Sequence, residues 1–361
     1  MRRRPLLLAL TAAAATPRLR AAELTARPLE FPGDFGAHPQ QRIEWWYLTG
    51  HLAAADAGEQ ADPQFGFQVT FFRARTPVNP AHPSRFAARQ LLFAHVALTD
   101  LTHARMHHDQ RIARTGFGLA EFALAETRLM LHDWTLQRSG PAQASRYDAK
   151  VRSTGFSLDL QCRSTQPVLR QGEQGWSRKA PQPAQASLYY SQPQLEVQGS
   201  VQVDARQVAV QGRAWLDHEW SDSLLDAPAV GWDWIGMNLH DGSALMAFRL
   251  RRADGQAHYA GGSFRRPGAP PRIETSDSVH FKPLRWWTSP HSAARYPVHW
   301  AVQTTSGTFE VKALLDDQEL DSRASTGAIY WEGLSELLDS AGKRIGLGYL
   351  EMTGYAAALR L

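Results

Sequence analysis

The side chains best suited by type to carry chemistry are ionisable groups set beside indoles. Twelve tryptophans occur in 361 residues, and many adjoin acids or histidine: Glu44-Trp45-Trp46-Tyr47, Trp215-Leu216-Asp217-His218-Glu219-Trp220, Trp232-Asp233-Trp234 and Tyr330-Trp331-Glu332. A carboxyl walled by indoles loses water, so its pKa rises until it can deliver a proton near neutral pH. Asp233 fits that description and is the expected acid. His218 is a second candidate, because burial and neighbours readily adjust the charge of an imidazole. Asp217 and Glu219 complete the catalytic set, with Trp220, Trp232, Trp234, Glu44, Trp46, Tyr330 and Tyr349 as expected ligand contacts. A packed core of hydrogen-bonded His and Trp would use the same residue types without any reaction.

Other chemistries find less support. The segment His103 to Asp109 holds three histidines, but it lacks the His-Glu-x-x-His arrangement, and no metal is expected. No Gly-x-Ser-x-Gly elbow and no Gly-rich phosphate loop between a strand and a helix is present. A sugar cleft would draw its acids from Glu44, Asp217, Glu219, Asp233, Glu332 and Glu351, too many to choose among. The single cysteine, Cys162, excludes an internal disulfide and a thiolate zinc cluster.

The elements that must hold these residues read as strands. Ile43 to Leu52, Phe65 to Phe72, Gln90 to Leu98, Val208 to Ala214, Ser243 to Leu250 and Gly346 to Tyr355 are short apolar or alternating runs. Turn signals such as Asp241-Gly242 and Ser306-Gly307 separate such runs, which predicts antiparallel hairpins and an all-β chain. Alternation puts Leu216, His218 and Trp220 on one face and Trp215, Asp217 and Glu219 on the other. The same rule groups Tyr349, Glu351, Thr353 and Tyr355 against Gly348, Leu350, Met352 and Gly354, and either set could face an interior. Leu334 to Asp339 and His103 to Asp109 are expected to form short helical turns. Thr165 to Gln194 reads as a loose polar stretch, so the domains are taken as 23–213 and 214–361.

Residues 1–22 have the layout of an export signal: Arg2-Arg3-Arg4, an apolar run from Pro5 to Thr16, and Ala21-Ala22 for cleavage. That run is too short to span a bilayer, so a secreted or periplasmic chain is expected, not a membrane-spanning one. The formal net charge of +4 falls to −1 without the five leader arginines, which removes the electrostatic reason to bind nucleic acid.

Several longer motifs point to a family. Gly212-Arg-Ala-Trp-Leu-Asp-His-Glu-Trp-Ser221, Gly231-Trp-Asp-Trp234, Tyr330-Trp-Glu-Gly333 and Gly348-Tyr-Leu-Glu-Met-Thr-Gly-Tyr355 resemble the AttH and carotenoid 1,2-hydratase (CrtC) group of lipocalin-like proteins. Glu44-Trp-Trp-Tyr-Leu-Thr-Gly-His51 adds to the likeness. The resemblance implies two lipocalin-like (calycin) antiparallel β-barrels packed side by side, with a ligand cavity near their junction. It further implies binding of an apolar isoprenoid or lipid, hydration of a terminal C=C bond, and no cofactor. The His-x-Trp of such hydratases maps to His218 and Trp220, and the nearest candidate for their further acid is Asp233. A non-catalytic carrier working beside an envelope ABC transporter and a secreted hydrolase are the alternatives. A junction cavity of roughly 300 Å³ or more with a convergent carboxyl would favour chemistry; a filled junction, with Asp217, His218, Glu219 and Asp233 paired among themselves or with backbone, would favour a carrier or scaffold.

Overall fold

The computed structural model describes residues 24–58, 61–223 and 225–359, so the expected leader lies outside the described residues. Apart from one 3-10 turn, Gly33–Phe35, the regular elements described are all strands. They form two antiparallel sheets of thirteen and ten strands. The all-β expectation holds, and the cause is visible in the burial pattern. Strands such as Phe156–Arg163 alternate buried and exposed positions one by one, as a sheet with one face on a core requires.

The first sheet centres on the opening strand Ile43–Ala54, which lies between Phe65–Arg75 and the site strand Arg206–Ser221. The second sheet centres on Ala229–Leu239, between Ala244–Arg252 and Arg344–Met352. Each sheet wraps its own core. Trp46, Leu48, Phe67, Leu216 and Trp220 belong to the first; Ile235, Met237, Trp300, Trp331 and Leu350 belong to the second. A third cluster fills the space between the sheets, with Tyr47, Tyr189, Trp215, Trp234, Phe248 and Tyr349. Here both faces of the central strands are buried, which is why their burial is nearly continuous.

Three local expectations are corrected. Leu334 to Leu338 continue the strand Ala328–Leu338, because this apolar run pairs with Arg344–Met352 and that ladder overrides local helix propensity. The turn near His103 ends at Ala104, which has a left-handed φ of 49°, and His107 to Asp109 lie in the strand Arg105–Arg114. The polar stretch Thr165 to Gln194 contains two short strands and the first half of the 18-residue strand Ala186–Val203. Pro193 and Gln194 sit where the register shifts between Gln192 and Leu195, so the proline costs no ladder bond. The site strand runs unbroken through residues 213 and 214, and the second sheet begins at Ala229.

Polar side chains tie the two sheets together. Gln194 N–H donates to Asn238 Oδ1 at 2.8 Å, and Asn238 Nδ2 donates to the Ala214 carbonyl at 3.0 Å. Gln68 Nε2 donates to Glu332 Oε2 at 2.7 Å, and His95 Nδ1 meets the Tyr330 hydroxyl at 2.8 Å.

Candidate functional site

Alternation along the site strand makes it two-sided. Its register with the opening strand pairs Trp45 with Glu219 and Tyr47 with Asp217 on the junction face, and Glu44 with Trp220 and Trp46 with His218 on the barrel face. Directly opposed residues share a face. The second sheet brings Trp234 opposite Glu351, and Glu351 opposite Glu332. A cavity of about 130 Å³ lies where these faces meet, lined by Tyr47, Tyr189, Asp217, Glu219, Trp232, Trp234, Phe248, Glu332 and Glu351, with Lys179 reaching in from a loop. It falls short of the roughly 300 Å³ expected of a junction cavity that favours chemistry, although carboxyls do converge on it. It approaches the about 150 Å³ that accommodates one benzene ring.

Four carboxyls and a single ammonium in this aromatic enclosure cannot all be charged. Lys179 is committed to Glu219 at 2.9 Å, and it also lies 4.4 Å from the Phe248 ring centre. Asp217 accepts from Tyr189 Oη at 2.7 Å, Ser191 Oγ at 2.5 Å and Trp215 Nε1 at 2.7 Å. Burial outweighs these donors and pushes Asp217 up to about 7. Burial likewise raises Glu351 to about 7, against a pull from the Trp232 indole. Glu332 is pushed well above the ordinary range, by burial and then by the neighbouring Glu351. The buried Tyr47 hydroxyl beside it pulls the other way, but more weakly. Carboxyls that keep protons well above the ordinary carboxylate range, on an apolar cavity, are the outcome.

The barrel face of the site strand has a different character. His218 Nε2 and His38 Nδ1 both meet Glu44 Oε1, at 2.9 and 2.8 Å, while Arg73 Nε donates to Glu44 Oε2 at 2.7 Å. The His38 ring stacks on Trp220 at 3.6 Å and the Trp46 ring on His218 at 4.5 Å. Burial lowers His218 to about 4, so it is neutral at pH 7. Burial raises Glu44, but its histidine contacts and Arg73 outweigh that and hold it below the usual carboxylate range. Because His218 is itself neutral, Arg73 and His38 are the partners that keep Glu44 charged. His38, Glu44 and His218 place three donor atoms within 4.8 Å of one another, as a metal ion would require. Asp34 and Glu44 are already matched by Arg27 and Arg73. A divalent ion would therefore add two unbalanced buried charges. The cluster reads as a clamp that closes this end of the barrel.

Of the residues expected at the site, Asp217, Glu219, Trp232 and Trp234 line the cavity together. Glu44 borders it with its carboxyl turned to the clamp; His218, Trp220 and Trp46 lie in that clamp. Asp233 does not stand between indoles. Sequence neighbours in a strand face opposite ways, so Asp233 points into the second barrel, where Arg249 Nε donates to it at 2.6 Å and Tyr355 Oη at 2.7 Å. Tyr355 lies beyond the strand that ends at Met352, so alternation no longer places it with Glu351. Tyr330 bonds His95 away from the cavity, and Tyr349 packs in the junction cluster without lining it. Glu351 was recoverable by alternation from Tyr349; Tyr47, Tyr189 and Glu332 lie on other strands, whose pairing only the fold supplies, and Lys179, in a loop, left no periodic signal. His103, His107 and His108 do not gather: His103 pairs with Asp100, and the other two alternate along their strand.

Two wrapped sheets with a small apolar cavity between them define a lipocalin-like double barrel. The chain belongs to the AttH-like family, which it matches over residues 22–355. A crystal structure of an AttH protein from Nitrosomonas europaea is 44% identical, covers 93% of this chain and 99% of its own, and superposes with a TM-score of 0.84. Kievitone hydratase from Nectria haematococca shares the fold at 12% identity, covering 91% of this chain and 94% of its own, with a TM-score of 0.68. CghA with Sch210972 shares it at 12% identity, 87% and 88% coverage, and a TM-score of 0.53. No curated protein matches the chain.

Proposed function

We propose that this is an exported binding protein for an apolar isoprenoid or lipid, and that it adds water to a C=C bond of that ligand in the junction cavity. The observation that carries the reading is the cross-strand pair of the buried Glu332 and the half-buried Glu351 on an aromatic cavity, where loss of water raises both carboxyls above their ordinary range. Glu351 donates its proton to the alkene. The faces of Trp232 and Trp234 stabilise the resulting cation. Water then forms the C–O bond and returns one proton to the Glu351 carboxylate, so the acid is regenerated. Glu219, fixed by Lys179 and Ser187, is the acceptor that orients the water. The cavity size limits what enters to a terminal group of about one ring's volume. The hydratase name of one structural relative is in keeping with this chemistry.

The test is incubation with acyclic isoprenoid alkenes in heavy water, followed by mass spectrometry. The expected product is an alcohol carrying one carbon-bound deuterium, lost in Glu351→Gln. Stoichiometric ligand binding with no alcohol would reduce the reading to a carrier. That second reading draws on Asp217, whose two oxygens already receive three internal donors.

A further inference from the structure

One end of the first sheet carries aromatic side chains that its core does not use. Phe86, in the loop after Phe65–Arg75, is 71% exposed, and Phe117, just past Arg105–Arg114, is 52% exposed. Their rings stack at 5.5 Å, and the Arg114 guanidinium lies over both, 4.1 Å from Phe117 and 5.3 Å from Phe86. Phe117 has a φ of 60°, between Gly116 and Gly118, which also have positive φ. A non-glycine residue pays for that conformation, and the cost is spent on holding a large apolar ring in water.

The two segments that carry the rings are basic, with Asp109 and Glu121 just outside them. Residues 76–89 contain Arg85, Arg89 and His82 with no acid, and residues 110–120 contain Arg111 and Arg114 with no acid. Arg111 is committed to Asp133; Arg85 and Arg89 are exposed. The patch also connects to the cavity. Trp45, Phe72, Phe93 and Ile112 stand opposite one another across four adjacent strands, so they form one apolar row on one face. Trp45, Phe72 and Phe93 line the cavity. Ile112, at the far end, is 42% exposed and lies two residues before Arg114 on the same face.

We propose that the Phe86–Phe117 tip, with Arg85, Arg89 and Arg114 around it, docks on an anionic lipid bilayer, and that the apolar row leads a ligand from that surface to the cavity. Aromatic rings enter the interface while arginines meet the headgroups. Docking goes beyond the hydration reading and requires no reaction; the passage of a ligand along the row rests on the binding reading.

Co-sedimentation of the full chain with vesicles tests it, using phosphatidylglycerol and phosphatidylcholine in equal parts against pure phosphatidylcholine. The protein should pellet with the anionic vesicles, less so as salt rises. Phe86→Ser/Phe117→Ser should weaken partitioning at least about tenfold, and Arg85→Gln/Arg89→Gln about fivefold per arginine. Both rings are more than half exposed and lie outside the core, so melting should change little; should the phenylalanine variant unfold, the arginine variant carries the test. Equal pelleting of wild type and variants, no pelleting at all, or equal binding to pure phosphatidylcholine would each overturn the proposal. So would a dimer that dissociates on Phe86→Ser/Phe117→Ser, which would make the patch a contact between copies. Failure here would leave alcohol formation in solution untouched, so the two readings are separately refutable.

Discussion

Proton-bearing carboxyls leave a signature in stability as well as in activity. Folded Asp217 keeps its proton up to about pH 7, whereas its ordinary pKa is 3.8. In that window the unfolded chain has ionised this group and the folded chain has not, so rising pH favours unfolding. Its contribution is therefore lost between about pH 4 and pH 7, by roughly 4 kcal/mol at most. His218 acts with the opposite sign: lowered to about 4, it costs stability as pH falls below 6.5. Urea unfolding across this range should show wild type losing stability relative to Asp217→Asn as pH rises, and a constant difference would mean that Asp217 is ionised in the fold. Glu351→Gln should lower turnover at least about 100-fold, the ordinary worth of a general acid, with the fold retained in circular dichroism. Asp233→Asn should instead leave ligand affinity unchanged and cost about 3–5 kcal/mol, because Arg249 would keep a buried charge without its partner; the urea midpoint and a binding titration separate the two effects.

Strand geometry explains why part of this arrangement could be read from the sequence and part could not. Period-two alternation correctly divided Asp217 and Glu219 from His218 and Trp220, because a strand paired on both sides has no rotational freedom. The same rule separates the acid from the indoles in Trp232-Asp233-Trp234, a division that adjacency in sequence conceals. The clamp around Glu44 was hidden because His38 and Arg73 come from segments whose pairing only the folded sheet supplies. Lys179 was hidden for the same reason. Gly236 gives an element-scale test. A Cβ there would fall 2.3 Å from the Trp234 ring and 3.2 Å from the Trp215 ring, so the strand admits only glycine while the Trp234 indole lies flat across it. Gly236→Ala should push that indole into the cavity, weakening ligand binding at least about tenfold and costing about 1–3 kcal/mol from overpacking. Titration of tryptophan fluorescence with ligand reads the first effect and urea unfolding the second.

At the scale of the molecule, the two sheets share a buried cluster and a set of polar ties, so they should unfold together. Tryptophan fluorescence and far-ultraviolet circular dichroism should give coincident urea transitions. Two separated transitions would show that the junction contributes little. The site strand shows what this sharing entails. Its cavity-facing acids alternate with the clamp residues of the first barrel, so a change that reshapes one side disturbs the packing of the other. Divergence toward new ligands is therefore channelled to the opposite wall, where Trp232, Trp234, Phe248 and Leu250 can be exchanged without touching the clamp. Directed evolution confined to those four positions should retain folded variants far more often than libraries built on residues 215–220.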